Sequence, residues 1–278
     1  MKSITLAAPA KVNLFLHVTG RRADGYHSLE TLFAAIDLAD TVSLDVRADG
    51  AIARTRDLPG VAAADDLAVK AARALKDATR SPQGADIGVT KRIPMGGGLG
   101  GGSSDAASVL LGLNRLWGTG LARTELAAIG RSLGADVPFF VQTRPALARG
   151  IGEVLVPVTL PACWIALVVP PIAIATAAIF AAPELTRNTP SAKIEIFSEG
   201  YGRNDLQPVA LARFPDVAIA LAELGVHSRG ARMTGSGSCV FAAFASEEAA
   251  RAAVAARAPG TQGIVARTLA RHPLASFG

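Results

Sequence analysis

The stretch Pro94-Met95-Gly96-Gly97-Gly98-Leu99-Gly100-Gly101-Gly102-Ser103-Ser104 constrains the fold of this chain more than any other. Ala85 to Lys91 before it reads as a strand, and Ser103 to Trp117 after it reads as a helix. Glycine lets the backbone turn through positive φ and come close to a ligand. The unpaired amides at a helix start then favour an anion. A strand, glycine loop and helix in this order form a phosphate cradle. Gly96, Gly98 and Gly101 also satisfy the dinucleotide fingerprint, but the acidic residue that should end a following strand is missing, because helix follows helix. No Walker sequence ending in Gly-Lys-Ser/Thr occurs.

Three further segments carry chemistry. In the N-terminal strand, Ile4 to Val18, period-two alternation gives Val12, Leu14, Leu16 and Val18 an apolar face. Lys11, Asn13, Phe15 and His17 take the other face, which suits either a ligand-lining strand or an ordinary half-exposed one. In Gly134-Ala135-Asp136-Val137-Pro138-Phe139-Phe140 an aspartate sits between a turn and an apolar run. A half-buried carboxylate there needs a cation or donors nearby, and phosphoryl transfer to an alcohol uses such a group to orient the hydroxyl and take its proton. A turn-capping role is the plain alternative. Met233-Thr234-Gly235-Ser236-Gly237-Ser238-Cys239-Val240-Phe241 is a second glycine loop between strands, or else a tight hairpin.

Composition removes several function classes. A net charge of +5 is spread over scattered arginines with no five-residue basic run, which argues against nucleic acid and suits either a mild field toward anionic metabolites or simply a soluble surface. Cys163 and Cys239 are too few for a disulfide framework or a zinc site, so a reducing, cytoplasmic compartment fits. Ala8-Pro9-Ala10 mimics a cleavage site, but no h-region precedes it. Val154 to Pro183 carries no charge, yet Pro157, Pro161, Pro170 and Pro171 cut it too short for a membrane span.

Strands at Thr41 to Val46, Trp164 to Val169, Arg232, Val240 and Ile264 are expected. Helices are expected at Asp66 to Ala78, Thr124 to Leu133, Leu206 to Arg213, Val217 to Leu224 and after Ser246-Glu247-Glu248. The prolines near Val156 to Pro161 suggest a boundary, with domains 1–157 and 158–278.

Taken together, the first strand, the glycine run and the Met233 loop resemble the three motifs of the galactokinase, homoserine, mevalonate and phosphomevalonate kinase superfamily. Arg22-Ala23-Asp24-Gly25-Tyr26-His27, the triple-glycine loop, Gly134 to Phe139 and Asn204-Asp205-Leu206 narrow the likeness to its branch acting on 4-diphosphocytidyl-2-C-methyl-D-erythritol. The resemblance implies an α+β fold: an N-terminal nucleotide-binding domain with a left-handed βαβ crossover, then a ferredoxin-like domain. It implies ATP-dependent phosphorylation of the substrate's 2-hydroxyl in the non-mevalonate isoprenoid route, with Mg²⁺ whose ligands it leaves unassigned. Lys11 and Asp136 fall on catalytic positions, and Pro94 to Ser104 on the ATP loop. Asn13, Tyr26, His27, Phe180, Gly235 and Ser236 fall on substrate positions, with Tyr26, His27 and Phe180 around the cytosine. The partner is then a small molecule, not nucleic acid or membrane, and the chain a monomer or weak homodimer. A sister kinase would lack Asp24-Gly25-Tyr26-His27, and a non-catalytic nucleotide-binding regulator would lose the acid.

Overall fold

In the computed structural model, residues 2–192 and 202–277 are described. Two long strands, β1 (Ser3–Arg21) and β2 (His27–Arg47), pair antiparallel along most of their lengths. The turn between them is held by Arg22 N donating to Tyr26 O at 2.8 Å and by the Arg22–Asp24 ion pair. β3 (Ile52–Arg54), β4 (Gly84–Thr90), β5 (Ala146–Arg149) and β6 (Val154–Pro157) complete a six-stranded sheet of order β3-β4-β2-β5-β6, with β1 beside β2. The β3–β4 pair is parallel and the rest antiparallel, so the sheet is mixed.

Four helices belong to this half: α1 (Leu67–Thr79), α2 (Gly101–Trp117), α3 (Arg123–Leu133) and α4 (Val137–Gln142). α1 begins where the Asp66 side chain accepts the Ala68 amide at 2.9 Å. Its Ala68, Val69, Ala71, Ala72 and Leu75 form one buried stripe. α2 is buried on nearly all sides, and its Val109, Leu110 and Leu113 share a core with Val42, Leu44 and Ile87 of the sheet.

The second half holds β7 (Trp164–Val169), α5 (Thr176–Phe180), α6 (Gln207–Arg213), α7 (Pro215–His227), β8 (Arg232–Met233), β9 (Val240–Phe244), α8 (Glu247–Ala255) and β10 (Gln262–Arg267). Its antiparallel sheet runs β10-β7-β9-β8, the strand order of a ferredoxin-like split βαβ repeat. α8 starts as its sequence suggests, with the Ser246 hydroxyl accepting the Ala249 amide and Glu247 and Glu248 in the first turn. The two sheets share a core in which Ala10, Val12, Ala34 and Ile36 meet Ile165, Leu167 and Phe241. Fully burying side chains of this size contributes about 2 kcal/mol each.

The expected strand at Thr41 to Val46 proves to be the end of a much longer one. Residues Glu30 to Ile36 are buried on both faces, so no apolar–polar alternation marks them as a strand. The uncharged stretch from Val154 resolves into β6, β7 and α5, and among the described residues no helix is long and apolar enough to cross a membrane.

After β10 the chain returns to the first core. Leu274 packs there, and the Arg123 guanidinium donates to the carbonyls of Leu274, Ala275 and Phe277. His272 is buried in this tail, with its Nδ1 accepting the Leu274 amide at 3.0 Å. Burial, with Arg123 nearby, pushes its imidazole down to about 4. The unfolded chain takes up a proton near the ordinary value of 6.5 that the folded chain refuses. The contribution of His272 to stability is therefore complete above about pH 6.5 and is lost as pH falls toward 4. A difference of this size corresponds to about 3 kcal/mol. His272→Asn keeps an acceptor for Leu274 and should reduce the loss between pH 7 and 4.5 in denaturant unfolding, leaving the part that the lowered His17 and His27 contribute. An unchanged slope would place the acid sensitivity elsewhere.

Candidate active site

β1 carries the first half of the site. Lys11, only 3% exposed, donates through Nζ to Asn13 Oδ1 at 2.6 Å and lies 5.2 Å from the Phe33 ring centroid. Asn13 donates from Nδ2 to Thr31 Oγ1 at 2.8 Å and from its backbone N to Thr234 Oγ1 at 3.0 Å. The lysine is thus held rigid between two strands and the Met233 loop. Its ammonium reaches 3.4 Å from Asp136 Oδ2.

The alternation read from the sequence does not continue past Asn13. A β-bulge between Asn13 and Leu16 shifts the register, so Leu16 rather than Phe15 or His17 lines the cleft. Phe15 belongs to a separate cluster with Leu32 and Leu147, and His17 is buried, which lowers its pKa.

Asp136 stands in the short link between α3 and α4. Pro138 in the first turn of α4 fixes the backbone, and Val137 packs in the core. The carboxylate does not cap α4, and it is about one-third exposed and free to meet a ligand.

The glycine loop is clasped rather than loose. Leu99 O accepts the Lys11 amide at 3.0 Å, and Gly97 O accepts the Cys239 amide at 3.2 Å. Gly98 has φ +76° and sits so tightly on the Thr234 carbonyl that a Cβ has no room. Gly100, at φ +71°, is the N-cap of α2. The helix therefore begins at Gly101, two residues before the expected Ser103, and Gly101 is in the helix without a positive φ. Its first amides point out of a long helix whose dipole favours a phosphate.

Two clefts border this loop and share Gly96, Gly98 and Gly100. One, of about 360 Å³, brings together Lys11, Asn13, Asp136, Phe180, Gly235 and Ser236. The other, of about 280 Å³, is lined by Pro94 to Gly102 with Asp65, Asp66, Leu67, Lys91 and Asp105. Ser103 faces the first cleft, and Ser104 is buried.

The cytosine group assembles only in part. His27 stacks on Phe180 with centroids 5.2 Å apart, and its Nε2 accepts from Arg187 Nε at 3.0 Å. Burial and then the nearby Arg187 lower its pKa. Arg187 is itself fixed by the carbonyls of Phe180, Ala182 and Leu185. Of the three, Phe180 alone lines the cleft: His27 meets it only through the Phe180 ring, and Tyr26 is 63% exposed at the turn tip.

Several residues shape the site through contacts that the sequence does not show, although Asn204-Asp205-Leu206 stands out there as a motif. Lys91 bridges the Asp40 and Asp105 carboxylates, the latter at 2.8 Å. Asp40 also accepts the Arg92 and Ile93 amides, which anchors the start of the glycine loop. Burial raises the Asp105 carboxyl to about 7 despite Lys91. Asn204 donates to Met233 O and Gly235 O, both at 2.8 Å, and so holds the second glycine loop. Asp205 accepts the Val18 amide at 2.8 Å and the Thr189 hydroxyl at 2.6 Å. Asn204-Asp205-Leu206 is therefore a clasp between the second half of the chain and β1.

Residues 66–144 match the family model described as the GHMP kinases N terminal domain, and residues 181–260 match the GHMP kinases C terminal model. The fold and the looped cleft are those of a GHMP kinase. The chain is 56% identical over 270 residues to the 4-diphosphocytidyl-2-C-methyl-D-erythritol kinase of Thiobacillus denitrificans, covering 97% of each. It is 54% identical to that of Cupriavidus necator, covering 97% of this chain and 94% of the relative. A crystal structure of 4-(cytidine 5'-diphospho)-2C-methyl-D-erythritol kinase superimposes with a TM-score of 0.84 at 36% identity, covering 95% of this chain and 99% of that one. This chain belongs to the 4-diphosphocytidyl-2-C-methyl-D-erythritol kinase family. A homoserine kinase from Cytophaga hutchinsonii shares the fold at 18% identity, with a TM-score of 0.73 and coverage of 98% and 96%.

Proposed function

We propose that this chain transfers the γ-phosphoryl group of ATP to the 2-hydroxyl of 4-diphosphocytidyl-2-C-methyl-D-erythritol, a step of the non-mevalonate isoprenoid route. The observation that carries the reading is the Lys11–Asp136 pair, 3.4 Å apart in a cleft that opens on the glycine loop. ATP occupies the cleft with Asp66 and Lys91, and its phosphates lie along Gly96 to Ser103. The alcohol enters the other cleft, so the transferring group crosses at the shared glycines.

Asp136 orients the hydroxyl and accepts its proton as the new O–P bond forms and the bond from the γ-phosphorus to the bridging oxygen breaks, releasing ADP. Lys11 neutralises charge developing on the transferred group and holds Asp136 in place. A loose transition state asks mainly for positioning and electrostatics, which a buried, hydrogen-bonded lysine supplies. Mg²⁺ when bound adds charge neutralisation on the phosphates. No cluster of three or more metal-ligating side chains exists among the described residues. The Oδ1 of Asp105 and the hydroxyl of Ser104 are buried without a partner near the loop, which fits an ion that arrives on ATP and takes one or two protein oxygens. The enzyme works in the cytoplasm as a monomer or weak homodimer, in keeping with two cysteines outside any disulfide.

Base recognition rests on Phe180 and His27. Because His27 Nε2 accepts from Arg187, its other nitrogen carries the proton and is a donor. A donor suits the unprotonated N3 of cytosine and opposes the N3–H of uracil. Sites built on such a bond discriminate by about 10⁴-fold. The uridine analogue should therefore show kcat/KM lower by that order, and Phe180→Ala should raise KM for the cytidine substrate. Equal kcat/KM for the two would defeat the base-recognition reading while leaving the kinase reading intact.

A further inference from the structure

A second cavity, of about 810 Å³, lies against Leu14 of β1 and Arg232 of β8 and shares no lining residue with either cleft of the glycine loop. It is more than twice as large as the cleft holding Lys11 and Asp136, and within the range of small-molecule sites. Its apolar wall comes from Leu14, Leu160, Phe241 and Phe244. Its polar side carries His227, Arg229 and Arg232, and no carboxylate is among its described lining residues. Arg229 is exposed and has no ion-pair partner among the described residues. Arg232 is buried and donates from Nη1 to the carbonyls of Leu14 at 2.7 Å and Gly202 at 2.8 Å, which fixes its guanidinium at the cavity wall.

This arrangement is that of a binding pocket rather than a packing defect. Apolar gaps inside a core are small and dry, whereas this one combines an apolar wall with cations at one side. Nothing in the proposed phosphoryl transfer uses it. We infer that it binds a small amphipathic anion, whose apolar body lies on Leu14, Leu160 and Phe241 and whose single anionic head meets Arg229 beside Arg232 and His227. Either a carboxylate or a phosphate monoester supplies that chemistry.

Cys163 gives a local reporter, because it lines the cavity and is partly exposed. Cys239 is buried, with its thiol pushed up to about 12, and does not compete for an alkylating reagent. The test follows N-ethylmaleimide modification of Cys163 in the whole chain, with a saturating non-hydrolysable ATP analogue present to keep phosphates out of the glycine loop. Octyl phosphate and octanoate are compared with octanol and inorganic phosphate. The expected result is that one or both amphipathic anions slow modification in a saturable way, at concentrations at least about tenfold below those needed for octanol or phosphate. Which anion protects better identifies the head group. Arg229→Ala, a surface change, should weaken protection by about tenfold, as the loss of an arginine anchor does. Modification unaffected by either anion would overturn the inference. Protection by octanol equal to that by octyl phosphate, or protection unchanged in Arg229→Ala, would overturn the anionic head.

Discussion

Asp136→Asn is expected to fold and bind ATP as the parent chain does while losing at least about 10²-fold in kcat, the lower range for a positioned acid–base group. The amide is nearly isosteric, and the side chain neither caps α4 nor sits in the core, so folding does not depend on its charge. What is lost is the proton acceptor 3.4 Å from Lys11. Lys11→Met retains the aliphatic stem against Phe33 and removes the ammonium. It should also lower kcat more than it weakens ATP binding, because the ammonium faces the alcohol side of the loop. Single-turnover kinetics with calorimetric ATP affinities separates the two effects. Near-parent turnover in Asp136→Asn would remove this carboxylate from the chemistry, and a Lys11→Met effect confined to ATP affinity would make the lysine a binding residue.

The second large effect is expected at Gly98. A side chain there meets two penalties at once, a backbone at φ +76° and the Thr234 carbonyl inside contact distance, with Gly237 O at 3.2 Å beyond it. Neither neighbour is a flexible side chain that could swing away. Gly98→Val should push the glycine loop off the Met233 loop and reduce ATP affinity by more than about 10²-fold, the scale of the few kcal/mol that such strain costs. Gly102→Ala is the control, since Gly102 is helical and an added Cβ would make only ordinary contact with Leu67 at 3.5 Å. It should leave stability unchanged or raise it by about 0.5–1 kcal/mol. Circular dichroism establishes folding and calorimetry reads the affinity. Undiminished affinity in folded Gly98→Val would mean that the loop contact does not shape the ATP site.

The parts of the site legible in the sequence are those whose chemistry is local. A glycine run between a strand and a helix can do few things, whereas for Lys11, Asn13 and Asp136 the residues alone leave a half-exposed strand and a turn cap open, and the family likeness supplies their roles. The family likeness carried over Phe180, Gly235 and Ser236, and all three line the cleft with Lys11 and Asp136. Period-two reasoning failed beyond Asn13 because a bulge is a matter of pairing, which strand composition does not record. Tyr26 failed to join the cleft because the turn at Gly25, with φ +87°, leaves it at the tip. The Lys91–Asp40–Asp105 bridge joins residues 51 and 14 positions apart, and Arg187 reaches His27 across 160. Such long-range pairs have no periodicity, so only the folded chain displays them. Asp65-Asp66-Leu67 lies on the cleft proposed for ATP, where Asp66 also starts α1, so one aspartate is both a helix cap and a wall of that cleft.

Which alcohol accepts the phosphoryl group separates this kinase most directly from its sister enzymes. With ATP and Mg²⁺ fixed, kcat/KM is to be measured for 4-diphosphocytidyl-2-C-methyl-D-erythritol, mevalonate and homoserine, with ³¹P NMR of the product. The predicted result is a new phosphate monoester on the cytidine substrate, at a kcat/KM at least about 10³-fold above the other two, in line with a site that hydrogen-bonds the base. Equal or greater turnover of mevalonate or homoserine would contradict the account in favour of a sister kinase, and ATP binding without transfer to any of the three would contradict it in favour of a nucleotide-binding regulator.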